Sequence, residues 1–485
     1  MNEPDVSGLF TVQQAIGVID AVAVSLRIVR VPLGEAAGLR LAERIVADRD
    51  FPPFDKSLMD GYAVRVADVA QPPVELRVVG EIAAGKWPER GIGAGETMAI
   101  MTGAPMPQGA DGVVPVEDVE RRVSVGESVR VLRAPAPVRL IAPRGSDCPA
   151  GKVVLNQGAM MGAPQIAVAA SVGAAEVSVY ARPRVAVLGT GDELVAVTAA
   201  PGAAQIRNSN SPMLVALLRG LGCEVTDLGA VRDEPGVIRE MLLRGLEFDA
   251  LFVTGGMSMG EYDYVPRLVS EMGVTLKITK LKMKPGKPFV FGVKGSGVGV
   301  QGSEEKGRGE GRDDCKMQNA KCKMQNEETD VTAAASGSTD PQSEISNLKS
   351  EICNPSLPAS PGPRVPASSF IFGLPGNPVA AFVCTMRLAA RLLARMGGGE
   401  PTERWVIGRL EEGLPANGPR EFYQPAVRTV ARGKHSMQSE FAVVRPLVWK
   451  GSADLFTLAA ANVLLVRAAG EPAVGKGAVV RVLEI

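Results

Sequence analysis

Four glycine- and proline-rich loops carry the side chains that could do chemistry, and each follows an apolar run typical of a strand. Ligands of open parallel sheets bind where the strands end, so we expect these loops at one edge of a sheet. Two of them carry acids: Asp192 and Glu193 in the loop 189–193, and Asp263 in the loop 254–264. Carboxylates there suit magnesium, although an N-cap is the plainer interpretation of Asp263.

Backbone groups in two of the loops favour an anion. Gly255 and Gly256 leave N–H groups open to close approach by a ligand. The stretch 373–378 runs directly into a predicted helix, with Asn377 as N-cap and Pro378 at the first helical position. A helix N-terminus of this kind binds anions through its free N–H groups and its dipole.

Two lysines complete the set of loops. Lys284 and Lys287 are held three residues apart by Pro285 and Gly286, which makes them two fixed positive charges; a solvated turn is the alternative. Cationic and amide-rich loops beside carboxylate-bearing loops predict a metal-bridged phosphate or oxyanion substrate.

Several classes of function are excluded by composition. Lys and Arg number 53 and so do Asp and Glu, so no net charge draws the chain to nucleic acid or anionic membranes. The one histidine, His435, leaves no two-histidine mechanism and no His-rich zinc site. No GxGxxG fingerprint is followed by an acid about 20 residues on, and no GxxxxGK[ST] loop is present.

The location follows from the termini and cysteines. Glu3 and Asp5 replace the basic region of a signal peptide, and no run of about 18 apolar residues predicts a membrane span. The six cysteines form no CxxC pair, which is typical of reduced thiols in the cytoplasm.

The predicted secondary structure that must position the loops changes along the chain. Residues 9–50 show helical spacing, and 54–140 show short β-rich runs. From Pro183 strands alternate with helices, which predicts a parallel sheet covered on both faces. We expect one helix capped by Ser211 and another opened by Asp233 and Pro235. Residues 295–367 are polar, contain two period-seven repeats, and predict a disordered insertion.

Two turns of the small β region carry further polar groups. Asp60 precedes Gly61, a pair typical of a hairpin turn, and Thr102 lies in a turn that leaves its hydroxyl free. On spacing alone neither residue needs a catalytic role.

Six segments together resemble the molybdopterin molybdenumtransferases, a family that includes the bacterial molybdenum-inserting enzyme and the C-terminal domain of gephyrin. They are FDKSLMDGYAVR (54–65), MTGAP (101–105), GTGDEL (189–194), TGGMSMGEYDY (254–264), KPGKPFVFG (284–292) and GLPGNPVAA (373–381). The resemblance covers nearly the whole chain apart from 295–367.

The resemblance implies a multidomain fold whose central α/β domain is similar to the molybdopterin adenylyltransferase that acts one step earlier. We expect five segments: a helical and connector domain (1–53 and 141–180), a small β domain (54–140), the α/β domain (181–294 and 368–400), the insertion (295–367) and a C-terminal β domain (401–485). It also implies a homodimer in transient contact with that adenylyltransferase.

The implied reaction inserts molybdate into adenylated molybdopterin and releases AMP with the help of magnesium. The residues that match family positions fall into three groups: catalytic Asp60, Thr102, Glu193, Lys284 and Lys287, with Asp60 and Thr102 reaching the site of the partner subunit; cofactor-binding Gly255, Gly256, Ser258, Pro375, Gly376, Asn377 and Pro378; and metal-binding Asp233 and Asp263. The alternatives are the adenylyltransferase itself or a non-catalytic molybdopterin-binding scaffold.

Overall fold

The computed structural model describes residues 8–24, 26–133, 140–257, 264–295, 368–429 and 442–485. Ser258, Asp263 and His435 lie outside these ranges, as does the predicted insertion except for Gly295. The predictions made for those residues therefore stay predictions.

The N-terminal region is α-helical only over 12–20, whereas the sequence predicted helical spacing over 9–50; the rest of the stretch contains short strands. Its elements are α1 (Val12–Asp20), β1 (Ile28–Pro32), β2 (Arg40–Leu41) and β3 (Ile45–Val46). Helix α1 begins with a capping box between Thr11 and Gln14 and buries its apolar face in the main core. The β-branched run that follows pairs instead with a distant strand, β12 (Glu176–Tyr180), which overrides the local helical spacing.

The small β region forms its own sheet. The chain continues through β4 (Lys56–Ser57), β5 (Gly61–Val64), β6 (Val74–Ile82), β7 (Glu96–Ile100), β8 (Gly112–Pro115), β9 (Ser128–Val131), β10 (Ile141–Ala142), β11 (Val153–Leu155), α2 (Ala163–Ser171) and β12 (Glu176–Tyr180). Five of these strands pair in the order β8-β5-β7-β6-β9. The dipeptide Asp60-Gly61 suggested a hairpin turn, but the structure has none there. The strand before it, β4, pairs with β10, and the strand after it, β5, pairs with β7 and β8.

The central α/β region begins at β13. Its elements are β13 (Arg184–Thr190), β14 (Leu194–Val195), β15 (Ile206–Arg207), α3 (Asn210–Gly220), β16 (Glu224–Val231), α4 (Pro235–Gly245), β17 (Ala250–Thr254), α5 (Val265–Glu271), β18 (Thr275–Ile278), β19 (Met283–Lys284), β20 (Val290–Gly295), β21 (Ser368–Leu374), α6 (Pro378–Cys384) and α7 (Ala390–Met396). A π-helical turn, Thr385–Ala389, joins α6 to α7. The predicted helix Val379–Met396 is therefore present, with this turn inside it.

One six-stranded sheet organises the region, in the order β16-β13-β17-β21-β20-β18. The first four strands are parallel, as predicted, whereas β20 pairs antiparallel with both β21 and β18. Antiparallel neighbours need only a turn between them and no crossover helix. Alternate residues of the parallel strands enter two hydrophobic clusters, so both faces are covered: Val187 and Phe252 in one, Leu188 and Val253 in the other.

Two helix starts differ from the sequence expectation. Helix α3 begins at Asn210, and its Ser211 N–H is accepted by the side chain of Asn208, so Ser211 is not the cap. Helix α4 begins at Pro235 with Glu234 at the N-cap position, which removes Asp233 from a capping role. In both cases the local signal marked the helix but missed its first residue by one or two positions.

The C-terminal region is a β-barrel. Its elements are β22 (Trp405–Leu410), β23 (Glu421–Thr429), β24 (Val443–Pro446), α8 (Leu455–Ala459), β25 (Val463–Arg467) and β26 (Val479–Glu484). The order β19-β23-β24-β22-β26-β25 is closed by pairing of β23 with β25. No helix within the described residues has the length and apolar character needed to cross a bilayer.

Candidate active site

The four predicted loops meet at the carboxyl edge of the six-stranded sheet. Thr254, the last residue of β17, lies opposite Gly189 of β13 and Leu374 of β21. Val290, which follows the lysine turn, lies opposite Gly373. Because neighbouring strands end together, the loops that follow them form one continuous rim.

A glycine cradle lies at the centre of the rim. Gly255 and Gly256 have φ angles of +91° and +61°. A Cβ on Gly255 would lie 2.2 Å from the Thr190 carbonyl oxygen, and one on Gly256 would lie 3.0 Å from Thr190 Oγ1. Both the left-handed backbone and the close approach of Thr190 therefore require glycine at Gly255.

The loop after β21 lies directly beside this cradle. A Cβ on Gly376 would lie 3.8 Å from Gly255 Cα, and the Gly255 N–H faces the Leu374 carbonyl oxygen at 3.4 Å. The Asn210 amide donates to the Gly376 carbonyl oxygen at 2.6 Å. This loop is thus held from the start of α3.

The C-terminal barrel contributes to the start of α6. Asn377 occupies the N-cap position, but its side chain makes no capping bond and donates instead to Ser452 Oγ at 2.9 Å. The Ser452 carbonyl oxygen accepts the Val379 N–H at 3.1 Å. Asn377 therefore joins two domains, contrary to the capping role that we expected.

Acidic groups flank the cradle on the side of β16. The Asp233 N–H donates to Asp192 Oδ1 at 3.2 Å, which brings the loops after β16 and β13 into contact. Glu193 lies beside them and is exposed. Within the described ranges no group of three or more acid, Cys or His side chains is close enough together to hold a metal ion. Asp263, the remaining predicted ligand, is not among those residues.

The lysine turn flanks the cradle on the opposite side. Lys284 ends β19, which pairs with β23 of the barrel, and its Nζ lies 5.1 Å from the Phe422 ring centroid. Lys287 is exposed, and its carbonyl oxygen accepts the Leu281 N–H at 2.9 Å. The turn is therefore closed and ordered, with both ammonium groups reachable from solvent.

Asp60 and Thr102 form a pair in the small β-sheet. Thr102 donates to Asp60 Oδ1 from its backbone N–H at 2.7 Å and from its hydroxyl at 2.8 Å. The hydroxyl is thus bonded, whereas the sequence suggested a free one. These two hydrogen bonds hold the pKa of Asp60 below its ordinary value, with a smaller contribution from Arg122.

Two polar residues of the rim were missed by sequence reasoning. Asn210 is buried between α3 and the Gly376 loop, and Ser452 comes from the barrel. The signal for Asn210 was the polar run Asn-Ser-Asn-Ser (208–211) before a helix, which was taken only as a cap.

A cavity of about 470 Å³ lies elsewhere, at the amino ends of β13 and β16. Arg182 and Arg219 are among its lining residues, and none of the predicted site residues lines it. The convergence of site residues, and not the size of a cavity, therefore identifies the carboxyl edge as the candidate active site.

Two family models and several known proteins match this chain. Residues 10–173 match the model of the MoeA N-terminal region (domains I and II), and residues 186–395 match that of a probable molybdopterin binding domain. A molybdopterin molybdenumtransferase of Nostoc sp. is 30% identical over 464 residues, 94% of this chain and 88% of that protein. The enzyme of the same name from Haemophilus influenzae is 36% identical over 268 residues, 54% of this chain and 64% of that protein.

Solved structures share the fold. The crystal structure of a molybdopterin biosynthesis moeA protein from Pyrococcus horikoshii superposes with a TM-score of 0.71 at 24% identity, covering 98% of this chain and 99% of that one. The match extends across the β regions as well as the α/β region.

Proposed function

This chain belongs to the family of molybdopterin molybdenumtransferases, and from that premise we propose that it inserts molybdate into adenylated molybdopterin with magnesium-dependent release of AMP. The enzyme class and the place in molybdenum cofactor biosynthesis follow from the relatives described above. The metal, the oxyanion and the leaving group are the proposed part.

One observation carries the proposal: the glycine cradle lies between a carboxylate-bearing rim and a lysine-bearing rim. Gly376 lies beside Gly255, and a side chain on Gly255 would collide with Thr190. Such a surface suits a phosphate, which backbone N–H groups can approach closely. Acids on one side and lysines on the other suit an anionic substrate that is bound by a metal ion on the acids and by the lysine ammonium groups.

The donor set fits magnesium. This ion prefers oxygen ligands and binds through one or two carboxylates while keeping several waters, so no cage of protein ligands is required. Asp192 and Asp233 are in contact at the rim, and we propose Asp233 and Asp263 as ligands with Asp192 beside them. When bound, the ion would neutralise phosphate charge and polarise the bond to AMP.

The chain's own residues perform the remaining tasks. Lys284 and Lys287 bind oxygens of molybdate or phosphate as point charges, and Glu193 lies next to the acidic rim. Pro375 and Pro378 shape the loop that carries Gly376 and Asn377. Ser258, which matches a cofactor-binding position of the family, is proposed as a further binding residue.

We further propose a cytoplasmic homodimer in which Asp60 and Thr102 complete the site of the partner subunit. An isologous dimer would then hold two composite sites. Its adenylated substrate comes from the adenylyltransferase of the preceding step, with which transient contact is expected.

The reaction itself tests the proposal. Purified protein is incubated with adenylated molybdopterin, molybdate and magnesium, and AMP and protein-bound molybdenum are measured. Release of AMP with molybdenum retained supports the transferase. Consumption of ATP and unmodified molybdopterin would indicate an adenylyltransferase, and binding without turnover would indicate a scaffold.

A matched pair of lysine variants links the activity to the rim. Lys284→Ala is expected to reduce molybdate-dependent AMP release by about tenfold or more, since a hydrogen bond to a charged group is lost. Lys277→Ala removes an exposed lysine from β18 and should leave the activity unchanged. Equal activity of the two variants would show that Lys284 does not bind the substrate.

A further inference from the structure

Asn210 makes a long-range contact at the candidate site. It is the first residue of α3 and is only 9% exposed. Its amide nitrogen donates to the Gly376 carbonyl oxygen at 2.6 Å across 166 residues of sequence. The side chain therefore serves a loop of another element and not the helix on which it lies.

The other half of the Asn210 side chain is unusual. Its Oδ1 is buried and has no hydrogen-bond partner among the residues that the structure describes. A buried acceptor left unpaired is costly, and such groups are rare in native proteins. A residue retained only for stability would have both halves of its amide satisfied.

Asn208 shows what a purely local role looks like in the same segment. It is 8% exposed, and both halves of its amide bond Ser211: Oδ1 accepts the Ser211 N–H at 3.1 Å, and Nδ2 donates to Ser211 Oγ at 2.8 Å. Asn208 therefore serves the first turn of α3 and contacts no loop of the rim through these bonds.

The strand ends beside the cradle carry two more unpaired polar atoms. Thr190 Oγ1 and Thr254 Oγ1 are buried and, within the described part of the chain, have no hydrogen-bond partner. They lie at the ends of the neighbouring strands β13 and β17, next to Gly255 and Gly256. The same small region thus concentrates the unsatisfied polar groups, which is characteristic of functional sites and not of cores.

We propose that Asn210 is a positioning residue for molybdopterin binding, acting through the Gly376 carbonyl. Its amide fixes the peptide that follows Gly376 beside Gly255, and so sets the width of the cradle that receives the substrate. This inference rests on the proposed function, since it assigns molybdopterin to the cradle. It adds a residue that the motif pattern did not select.

A matched pair of isosteric substitutions tests it in the full-length protein. Asn210→Asp replaces the donor by an oxygen that faces the Gly376 carbonyl, so the contact becomes repulsive. Asn208→Asp keeps the oxygen that accepts the Ser211 N–H, and aspartate is as good a cap as asparagine. Both variants place the same charge at the start of the same helix, so the added charge is controlled.

Two measurements separate positioning from folding. Hydrogen exchange of the peptide spanning 373–379 should accelerate in Asn210→Asp and stay at the wild-type rate in Asn208→Asp. The dissociation constant for adenylated molybdopterin, measured without molybdate or magnesium, should rise about tenfold in Asn210→Asp and stay within twofold in Asn208→Asp. Thermal midpoints are measured in parallel, so that an effect on stability alone is recognised.

The outcomes are distinct. Equal exchange and equal affinity in the two variants would overturn the proposal, as would a loss confined to the thermal midpoint of Asn210→Asp. If wild-type protein bound no adenylated molybdopterin, the proposed function would fail. The exchange of 373–379 would then still decide whether Asn210 positions the loop.

Discussion

Asp60 accepts two hydrogen bonds from Thr102, one from the backbone N–H at 2.7 Å and one from the hydroxyl at 2.8 Å. Asp60 immediately precedes β5, and Thr102 follows the neighbouring strand β7. The bonds favour the ionised carboxylate, and they hold its pKa below the ordinary value. An exposed carboxylate is thereby kept charged and fixed in direction.

Thr102→Val should raise the pKa of Asp60 towards its ordinary value, because it removes the hydroxyl bond and keeps the backbone bond. A carboxyl with a lowered folded-state pKa stabilises above its unfolded pKa, and that stability is lost as pH falls through the folded pKa. As the pH falls, the variant should therefore lose the stability contributed by ionised Asp60 at a higher pH than wild type. Carbon NMR titration of Asp60 checks this.

Asp50 serves as the internal reference in the same spectra. Its pKa is lowered by the Ala150 N–H and by Arg144, and neither contact involves Thr102. Its titration should not move in Thr102→Val. An unchanged midpoint for Asp60 would mean that the hydroxyl contributes nothing to its ionisation.

Asp233→Asn and Asp263→Asn should each increase the magnesium concentration needed for half-maximal AMP release, because an amide is a poorer ligand than a carboxylate. Asp227→Asn is the control: Asp227 lies on the exposed part of β16, and its carboxylate accepts the Gly229 N–H at 2.9 Å. Titration of activity against magnesium measures the effect. An identical magnesium requirement in all three variants would exclude Asp233 and Asp263 as ligands.

A mixed dimer of Asp60→Ala and Lys284→Ala subunits should keep about half of the wild-type activity, and either mutant homodimer should keep almost none. In a composite site both lesions fall in one site and the other stays intact. Tandem affinity tags on the two chains isolate the mixed dimer for assay. An inactive, correctly assembled mixed dimer would show that each site is built within one chain.

Replacing residues 296–367 by Asn-Gly should leave the thermal midpoint and the activity unchanged. Gly295 and Ser368 are opposite each other in the antiparallel pair β20–β21, so a two-residue turn can connect them. Calorimetry and the AMP assay on the shortened and full-length chains test this. A lower midpoint in the shortened chain would assign a stabilising role to the replaced segment.

Arg387→Met should reduce the free energy of unfolding by about 1.5–3 kcal/mol, since a buried hydrogen bond to a charged group is lost while Arg391 still lies 3.7 Å from Glu403. The Arg387 side chain is 7% exposed, pairs with Glu403 and donates to the Tyr423 hydroxyl at 2.7 Å. Arg239→Met is the control, because the Arg239–Glu271 pair is 44% and 43% exposed and should contribute only about 0–1 kcal/mol. Urea denaturation compares the two, and equal losses would contradict a special role for burial.

The loops of the site could be read from the sequence because their signals are local. Apolar runs followed by Gly255 and Gly256, or by Pro375 and Pro378, define strand ends and helix starts within a few residues. The parallel order of four strands follows from their alternation with helices. The antiparallel direction of β20 beside β21, with β18 at the edge beyond it, was not predicted.

The sequence alone thus determined the family resemblance, the central α/β region and the residues of the rim, because strand and turn preferences depend on near neighbours. Tertiary structure decided which hydrogen-bond partners the polar side chains have. Asn377 bonds Ser452 across 75 residues and Asn210 bonds Gly376 across 166, and no local pattern encodes either partner. The helical spacing of 9–50 was confirmed only at α1, and beyond it failed for the same reason: β1 is held by β12, a strand that the chain reaches only after the whole small β region.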